Sequence, residues 1–107
     1  MPNAVDVRSE KWSGITVLFD DGEYSVISGL YENNRCLGER WNGDAETPRG
    51  FPNVFGNPVW HVAPSFLEMP ILHELLNELS RANPTPQNVD AYRANILDAL
   101  RQRTPQR

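Results

Sequence analysis

The chain has 107 residues, of which 39% are hydrophobic and 22% are charged, so it predicts one globular domain with a modest core. Its net charge of −4 disfavours binding to nucleic acid, because free nucleic-acid binders usually carry a basic stripe. A single cysteine excludes an intramolecular disulfide, and the sequence shows neither a signal peptide nor an apolar run of the roughly 20 residues that cross a membrane. We therefore expect a cytoplasmic protein without membrane contact.

Three segments of alternating side chains predict an antiparallel meander in the first half of the chain. They cover residues 14–20, 23–31 and 35–41. The run Asp20-Asp21-Gly22 supplies the turn chemistry of a hairpin between the first two strands. Asn33 and Asn34 both tolerate positive φ, so a second tight turn is expected there.

The second half of the chain begins with an irregular stretch, residues 42–58, which we call the strap. A fourth strand is predicted at residues 59–63, and leucines at helical spacing predict a helix over residues 70–81. Thr85 as an N-cap and Pro86 in the first helical position predict the start of a second helix.

The resulting order β-β-β-loop-β-α-α predicts an α+β fold of two layers. In this fold a mostly antiparallel sheet of about four strands carries both C-terminal helices on one face. A single domain is expected over residues 12–103. Residues 1–11 are polar without a clear period, and we expect this segment and residues 104–107 to be flexible.

No group of residues in the sequence predicts a catalytic residue, a metal site or a cofactor. Cys36 falls in mid-strand rather than at a helix N-terminus, where a thiolate would be stabilised. His61 and His73 belong to different predicted elements and lack the short spacing of zinc ligands. We therefore lean towards a protein that is not an enzyme.

The strap and its flanks contain more aromatic rings than an exposed loop can hold without loss of stability. An aromatic side chain that leaves water stabilises the fold by about 4–6 kcal/mol, whereas a whole domain is stable by only about 5–15 kcal/mol. Some of the rings at Trp41, Phe51, Phe55 and Trp60 must then pack, and the strap is interpreted as a segment that these rings hold closed.

The same rings also allow an interpretation as a binding site. Trp60 and His61 are neighbours on a predicted strand and so face opposite sides. If the helices cover one face of the sheet, rings and polar groups that include Tyr24 would line the other. An exposed aromatic patch rimmed by Arg and Glu is typical of a protein interface and would also suit a small flat organic ligand. The candidate binding residues are Arg40, Trp41, Phe51, Phe55, Trp60 and His61.

Four short motifs carry a resemblance to a group of proteins. They are Arg40-Trp41-Asn42-Gly43, Gly50-Phe51-Pro52, Asn57-Pro58-Val59-Trp60 and the following Pro64. Over residues 14–81 this pattern resembles small uncharacterised bacterial proteins, some of them from mobile DNA. The resemblance implies a bacterial, intracellular protein of one domain, and it implies no activity or site.

Two functions fit these observations. In the first, the chain is a non-catalytic protein-binding or regulatory module that acts as a homodimer, because twofold homo-oligomers are common among such domains. In the alternative, the chain binds a small molecule or is a small enzyme, with a site formed by the strap together with Trp60 and His61.

Overall fold

The fold was obtained as a computed structural model, which describes Ala4, Val7 and residues 11–54, 56–81 and 88–103. Within these residues six strands and two helices follow in chain order, and a 3-10 turn at Ser65–Leu67 precedes the first helix. The elements are β1 (Trp12–Asp20), β2 (Tyr24–Tyr31), β3 (Asn34–Trp41), β4 (Asn53–Val54), β5 (Asn57–Pro58), β6 (His61–Val62), α1 (Glu68–Arg81) and α2 (Val89–Arg103).

The main sheet is antiparallel, with the strand order β1-β2-β3-β6, and both helices lie near the C-terminus of the chain. The predicted α+β class is therefore confirmed. The strap contains a small separate hairpin, β4–β5. The fourth strand is shorter than the predicted 59–63, because the Val59 N–H donates to the Pro52 carbonyl within the strap, at 3.2 Å, instead of pairing with β3.

Both predicted turns of the meander are present, and the second is displaced by one residue. In the first turn the Asp20 carboxylate accepts a hydrogen bond from the Gly22 N–H at 2.9 Å, and Gly22 takes φ +93°. In the second turn Glu32 and Asn33 hold the positive φ angles. Asn34 already pairs with the last residue of β2, so it is extended and does not take part in the turn as predicted.

The main core lies between the sheet and the two helices. A register shift in β1 directs both Leu18 and Phe19 into this core, and α1 contributes three buried leucines. Its buried members are Leu18, Phe19, Val26, Leu37, Ala63, Leu72, Leu75, Leu79, Tyr92, Ile96 and Ala99. An ion pair of 2.7 Å between Glu68 and Arg103 joins the start of α1 to the end of α2. The predicted helix start at Thr85 and Pro86 lies outside the described residues.

The sheet has a second face, opposite the helices, which we call the far face. A second core covers this face. The Trp12 ring lies across Gly29 and Gly38, where a Cβ atom would approach the ring within about 3.2 Å. Trp60 packs into the same cluster, and its Nε1–H donates to the Val7 carbonyl at 3.2 Å. This cluster is made of Ala4, Val7, Trp12, Ile27 and Trp60.

Part of the predicted flexible N-terminal segment thus belongs to the fold. Ala4 and Val7, both within residues 1–11, are buried in the second core. The Ala4 N–H also donates to the Asp20 carboxylate at 3.1 Å. At these two positions small apolar side chains fill the far face, and the expected flexibility of residues 1–11 stays a prediction. The predicted flexible residues 104–107 lie outside the described part of the chain.

Candidate functional site

Three aromatic side chains stand side by side across three segments of the chain. Tyr24 of β2 pairs with Trp41 of β3, and Trp41 forms an antiparallel bridge with Phe51. Directly paired residues of antiparallel segments present their side chains on the same face. We call Tyr24, Trp41 and Phe51 the aromatic row. The first two rings lie 4.6 Å apart between centroids, and the side chains of Trp41 and Phe51 are 57% and 68% exposed.

The aromatic row lies on the helix side of the sheet, at strand ends that the helices leave exposed. Trp41 alternates with Glu39 and with the core residue Leu37, so all three point to the helix side. The sequence pattern predicts an exposed patch on the opposite face. The structure instead places Tyr24 and Trp41 on the helix side, and Trp60 is buried on the far face with Val7.

The loop from residue 42 to residue 50 forms the wall of a cleft beside the aromatic row. Main-chain hydrogen bonds between Trp41 and Phe51, at 2.7 and 3.0 Å, join the two ends of this loop. Gly43 and Gly50 both have positive φ, and a Cβ atom on either would overlap neighbouring backbone. The cleft has a volume of about 570 Å³. It is lined by Glu23, Trp41, Gly43, Asp44, Thr47, Gly50, Phe51 and Asn53.

Asp44 is held in place by its own loop. Its Oδ1 accepts hydrogen bonds from the Glu46 N–H at 2.9 Å, the Thr47 N–H at 2.8 Å and the Thr47 hydroxyl at 3.0 Å. The bonds from Thr47, backbone and side chain, followed by the one from the Glu46 N–H, hold the pKa of the Asp44 carboxyl below its ordinary value. The cleft therefore contains a fixed negative charge at neutral pH.

Glu39 and His61 border the aromatic row on its other side. They are cross-strand partners, and the His61 Nδ1 lies 3.6 Å from the Glu39 carboxylate. Burial, the charge of Glu39 and a hydrogen bond to that carboxylate together raise the pKa of Tyr24 to about 12. The Tyr24 phenol is neutral at physiological pH, and its O–H donates a hydrogen bond to the Glu39 carboxylate.

Arg40 points away from the row and supports the strap from the far face. Its side chain is 1% exposed. The guanidinium donates to the carbonyl oxygens of Val59 at 3.1 Å, Arg49 at 2.6 Å and Pro52 at a longer 3.5 Å. Its Nη1 has no hydrogen-bond partner among the described residues, and burial lowers the Arg40 pKa. Backbone carbonyls, rather than a carboxylate, thus surround this charge.

The structure brings together only part of the predicted binding set. Trp41 and Phe51 belong to the aromatic row, and the exposed His61 lies next to it. Arg40 and Trp60 do not reach this surface, because both are buried on the other side of the sheet.

Phe55 lies outside the described residues. Glu23 and Asp44, which line the cleft with the rings, are absent from the set predicted from the sequence. An Asp in a glycine-containing irregular stretch is a local signal for an Asx turn, in which the carboxylate accepts from the N–H two residues on, and it could have identified Asp44.

The arrangement consists of exposed aromatic rings next to a cleft that carboxylates line. Among residues 11–54, 56–81 and 88–103, with Ala4 and Val7, no three His, Cys, Asp or Glu side chains are grouped so that they could hold a metal ion. Cys36 is half-buried in contact with the second core. The site contains two exposed rings, Trp41 and Phe51, beside the carboxylates of Glu23 and Asp44, and the loop hydrogen bonds hold Asp44 in place.

Comparison with known proteins gives no functional assignment. Neither a protein-family model, nor a curated protein, nor a solved structure matches the chain. The resemblance drawn from the sequence motifs therefore stays a prediction. Within the described residues, neither helix combines the length and the apolar character that crossing a membrane requires.

Proposed function

We propose that this chain is a non-catalytic binding module that recognises a segment of a partner protein through the aromatic row and the adjoining cleft. The observation that carries the proposal is the exposure of Trp41 and Phe51, 57% and 68%, on neighbouring segments that main-chain hydrogen bonds lock together. Aromatic side chains are enriched at the centres of protein interfaces, where they provide much of the binding energy.

The site is ordered before any partner arrives, which favours recognition. Arg40 holds the carbonyl oxygens of Arg49, Pro52 and Val59, and the paired backbones of Trp41 and Phe51 fix the loop ends. Little conformational entropy is then lost when a partner binds, and preorganisation of this kind raises affinity.

A selection from a random peptide library displayed on phage tests the proposal. We expect the intact chain to enrich peptides that no longer bind when Trp41 and Phe51 are both replaced by Ala. Phe66→Ala is the matched control, because this ring is 78% exposed but lies on the 3-10 turn outside the row. Peptides that bind all three proteins equally, or no enrichment at all, would contradict the proposal.

A small flat organic ligand is the second candidate, and the size of the cleft favours it. Its volume of about 570 Å³ falls within the range of roughly 300–1,000 Å³ that small-molecule sites occupy. The alternative derived from the sequence placed Trp60 in such a site, whereas Trp60 is 5% exposed in the second core. A ligand at 100 times its dissociation constant adds about 2.7 kcal/mol to stability, so a thermal-shift screen of metabolites detects this candidate.

Self-association in the cytoplasm is a further part of the proposal. The single Cys36 thiol suits a reducing compartment, and a homodimer is the usual assembly of a small domain with exposed rings. Static light scattering measures the mass directly. We expect twice 12.2 kDa, and a mass of 12.2 kDa throughout a concentration series up to that used for structural work would contradict the homodimer.

A further inference from the structure

We propose that the group recognised at this site is a cation, the guanidinium or ammonium of an arginine or lysine side chain of the partner, bound over the Trp41 ring between Glu23 and Asp44. The inference rests on the proposed function, since it names the chemistry of the partner segment. Three features of the site lead to it: the exposed ring faces, the charge of the cleft, and the absence of a competing cation among the described lining residues.

The aromatic rings provide a cation–π interaction. The face of an aromatic ring carries negative electrostatic potential, and tryptophan binds cations more strongly than tyrosine or phenylalanine. Trp41 is the central ring of the row, with Tyr24 at 4.6 Å on one side and Phe51 paired to it on the other. Phe51, 68% exposed, borders the same cleft as Trp41.

The two carboxylates provide the negative charge. Glu23 and Asp44 both line the cleft that Trp41 and Phe51 border. Asp44 is fixed through Oδ1 by three donors of its own loop, while Oδ2 accepts no hydrogen bond from the described residues. One oxygen thus positions the group and the other remains available to a ligand. Charge-assisted hydrogen bonds of this kind are roughly twice as strong as neutral ones.

No cation of the described lining neutralises this charge. The eight lining residues contain two carboxylates and neither Lys nor Arg. Arg40 is buried on the far face, and the Arg49 guanidinium lies against Gly56 of the small hairpin. The chain as a whole carries −4, so an anionic ligand would be repelled, and a cation is the ligand whose charge complements the two carboxylates.

The inference is tested by NMR titration of the full, isotope-labelled chain with two small probes. N-acetyl-arginine amide supplies the cation, and N-acetyl-citrulline amide is its neutral counterpart of almost the same shape. We expect the arginine probe to shift the Trp41 indole and the Asp44 and Thr47 amide signals, and the citrulline probe to bind at least about tenfold more weakly. Binding of the arginine probe should also weaken as salt is raised.

Variants that replace one carboxylate by an amide test which carboxylates bind the cation of the probe. Asp44→Asn retains an oxygen that accepts the loop hydrogen bonds, so the fold is preserved while the charge is lost. We expect Asp44→Asn and Glu23→Gln each to weaken the arginine probe several-fold. Glu46→Gln is the matched control, because this exposed carboxylate belongs to the same loop but does not line the cleft.

The outcomes separate this inference from the function on which it rests. No shift with the arginine probe, equal binding of both probes, or an equal effect of Glu46→Gln and Asp44→Asn would overturn the inference. If the library selection nevertheless yields neutral peptides that depend on Trp41 and Phe51, the proposed function stands and only the cation is wrong. If neither peptides nor probes bind at the row, both fail.

Discussion

At the scale of single residues, Arg40 carries its charge where water barely reaches it. The side chain is 1% exposed, and its hydrogen bonds go to carbonyl oxygens of Arg49, Pro52 and Val59 rather than to a carboxylate. A buried charge is expensive unless hydrogen bonds satisfy it, and removing one member of such a set leaves buried polar groups unpaired. Arg40 therefore fixes the strap from within, while Phe51 remains outside.

Arg40→Met should lower the free energy of unfolding by about 2–4 kcal/mol, because the strap carbonyls lose a charged donor. Denaturant unfolding followed by circular dichroism gives the value. Arg101→Met serves as the control, since the Arg101 side chain is 72% exposed and should change stability by no more than about 0.5 kcal/mol. Equal effects of the two substitutions would show that Arg40 does not hold the strap.

Because Tyr24 is partly buried beside Glu39, the free energy of unfolding should depend on pH in the alkaline range. A tyrosine in the unfolded chain titrates near pH 10, whereas the pKa of Tyr24 in the fold is raised to about 12. Between these values the unfolded chain releases a proton that the folded chain keeps, so the stability that Tyr24 contributes below pH 10 is lost as the pH rises to 12.

Glu39→Gln tests the cause of that shift. Removal of the negative charge should lower the Tyr24 pKa, and burial, the largest cause, should still keep it above 10. Near-ultraviolet absorbance of the phenolate reports the titration, with a Tyr24→Phe variant subtracted to remove the other two tyrosines. An unchanged Tyr24 pKa in Glu39→Gln would mean that the carboxylate plays no part.

At the scale of elements, the strap is closed by backbone geometry more than by ring burial. The sequence predicts that rings hold it closed, yet Trp41 and Phe51 are mostly exposed and of the three described rings only Trp60 is buried. The loop closes because Gly50 takes φ +68°, which lets its backbone approach Trp41. Glycine adopts this left-handed conformation without the strain that a Cβ atom imposes.

Gly50→Ala should therefore destabilise the protein by about 3 kcal/mol or more, through left-handed strain and overlap with the Trp41 carbonyl oxygen. Gly14→Ala isolates the first of these effects, because Gly14 has φ +57° but no atom lies within 4 Å of the point that a Cβ would occupy. We expect the control to cost about 1–2 kcal/mol. The prediction is wrong if the two glycine variants unfold at the same denaturant concentration.

At the scale of the whole molecule, the sequence predicted the layer of strands and helices but not what covers the far face. Alternation revealed the three long strands, and the leucine stripe revealed α1, because both patterns reflect burial against a neighbouring layer. The second core depends instead on contacts distant in sequence, such as the hydrogen bond from Trp60 to Val7. No local period records such a contact.

The sequence likewise predicts only some of the residues of the candidate site. The composition singled out Trp41 and Phe51, but their pairing depends on the closure of the loop between them. The register of β6 against β3 places His61 beside Glu39 and Trp60 on the other side of the sheet. Because β6 has only two paired residues, the sequence shows no alternation long enough to predict this register. The carboxylates of the cleft come from turns, whose position in space follows from the completed fold.

Substitution of two tryptophans tests whether the far face is a buried core and the aromatic row is the binding surface. Trp60 is 5% exposed and Trp41 is 57% exposed. Trp60→Ala should cost about 3–5 kcal/mol, because it leaves a cavity in the second core and the Val7 carbonyl without its donor. Trp41→Ala should cost less, about 1–2 kcal/mol, because less than half of this residue is buried and Tyr24 packs against its ring, and it should abolish peptide binding. Since the same ring is removed from opposite faces of one sheet, equal losses of stability in the two variants would contradict the placement of the site.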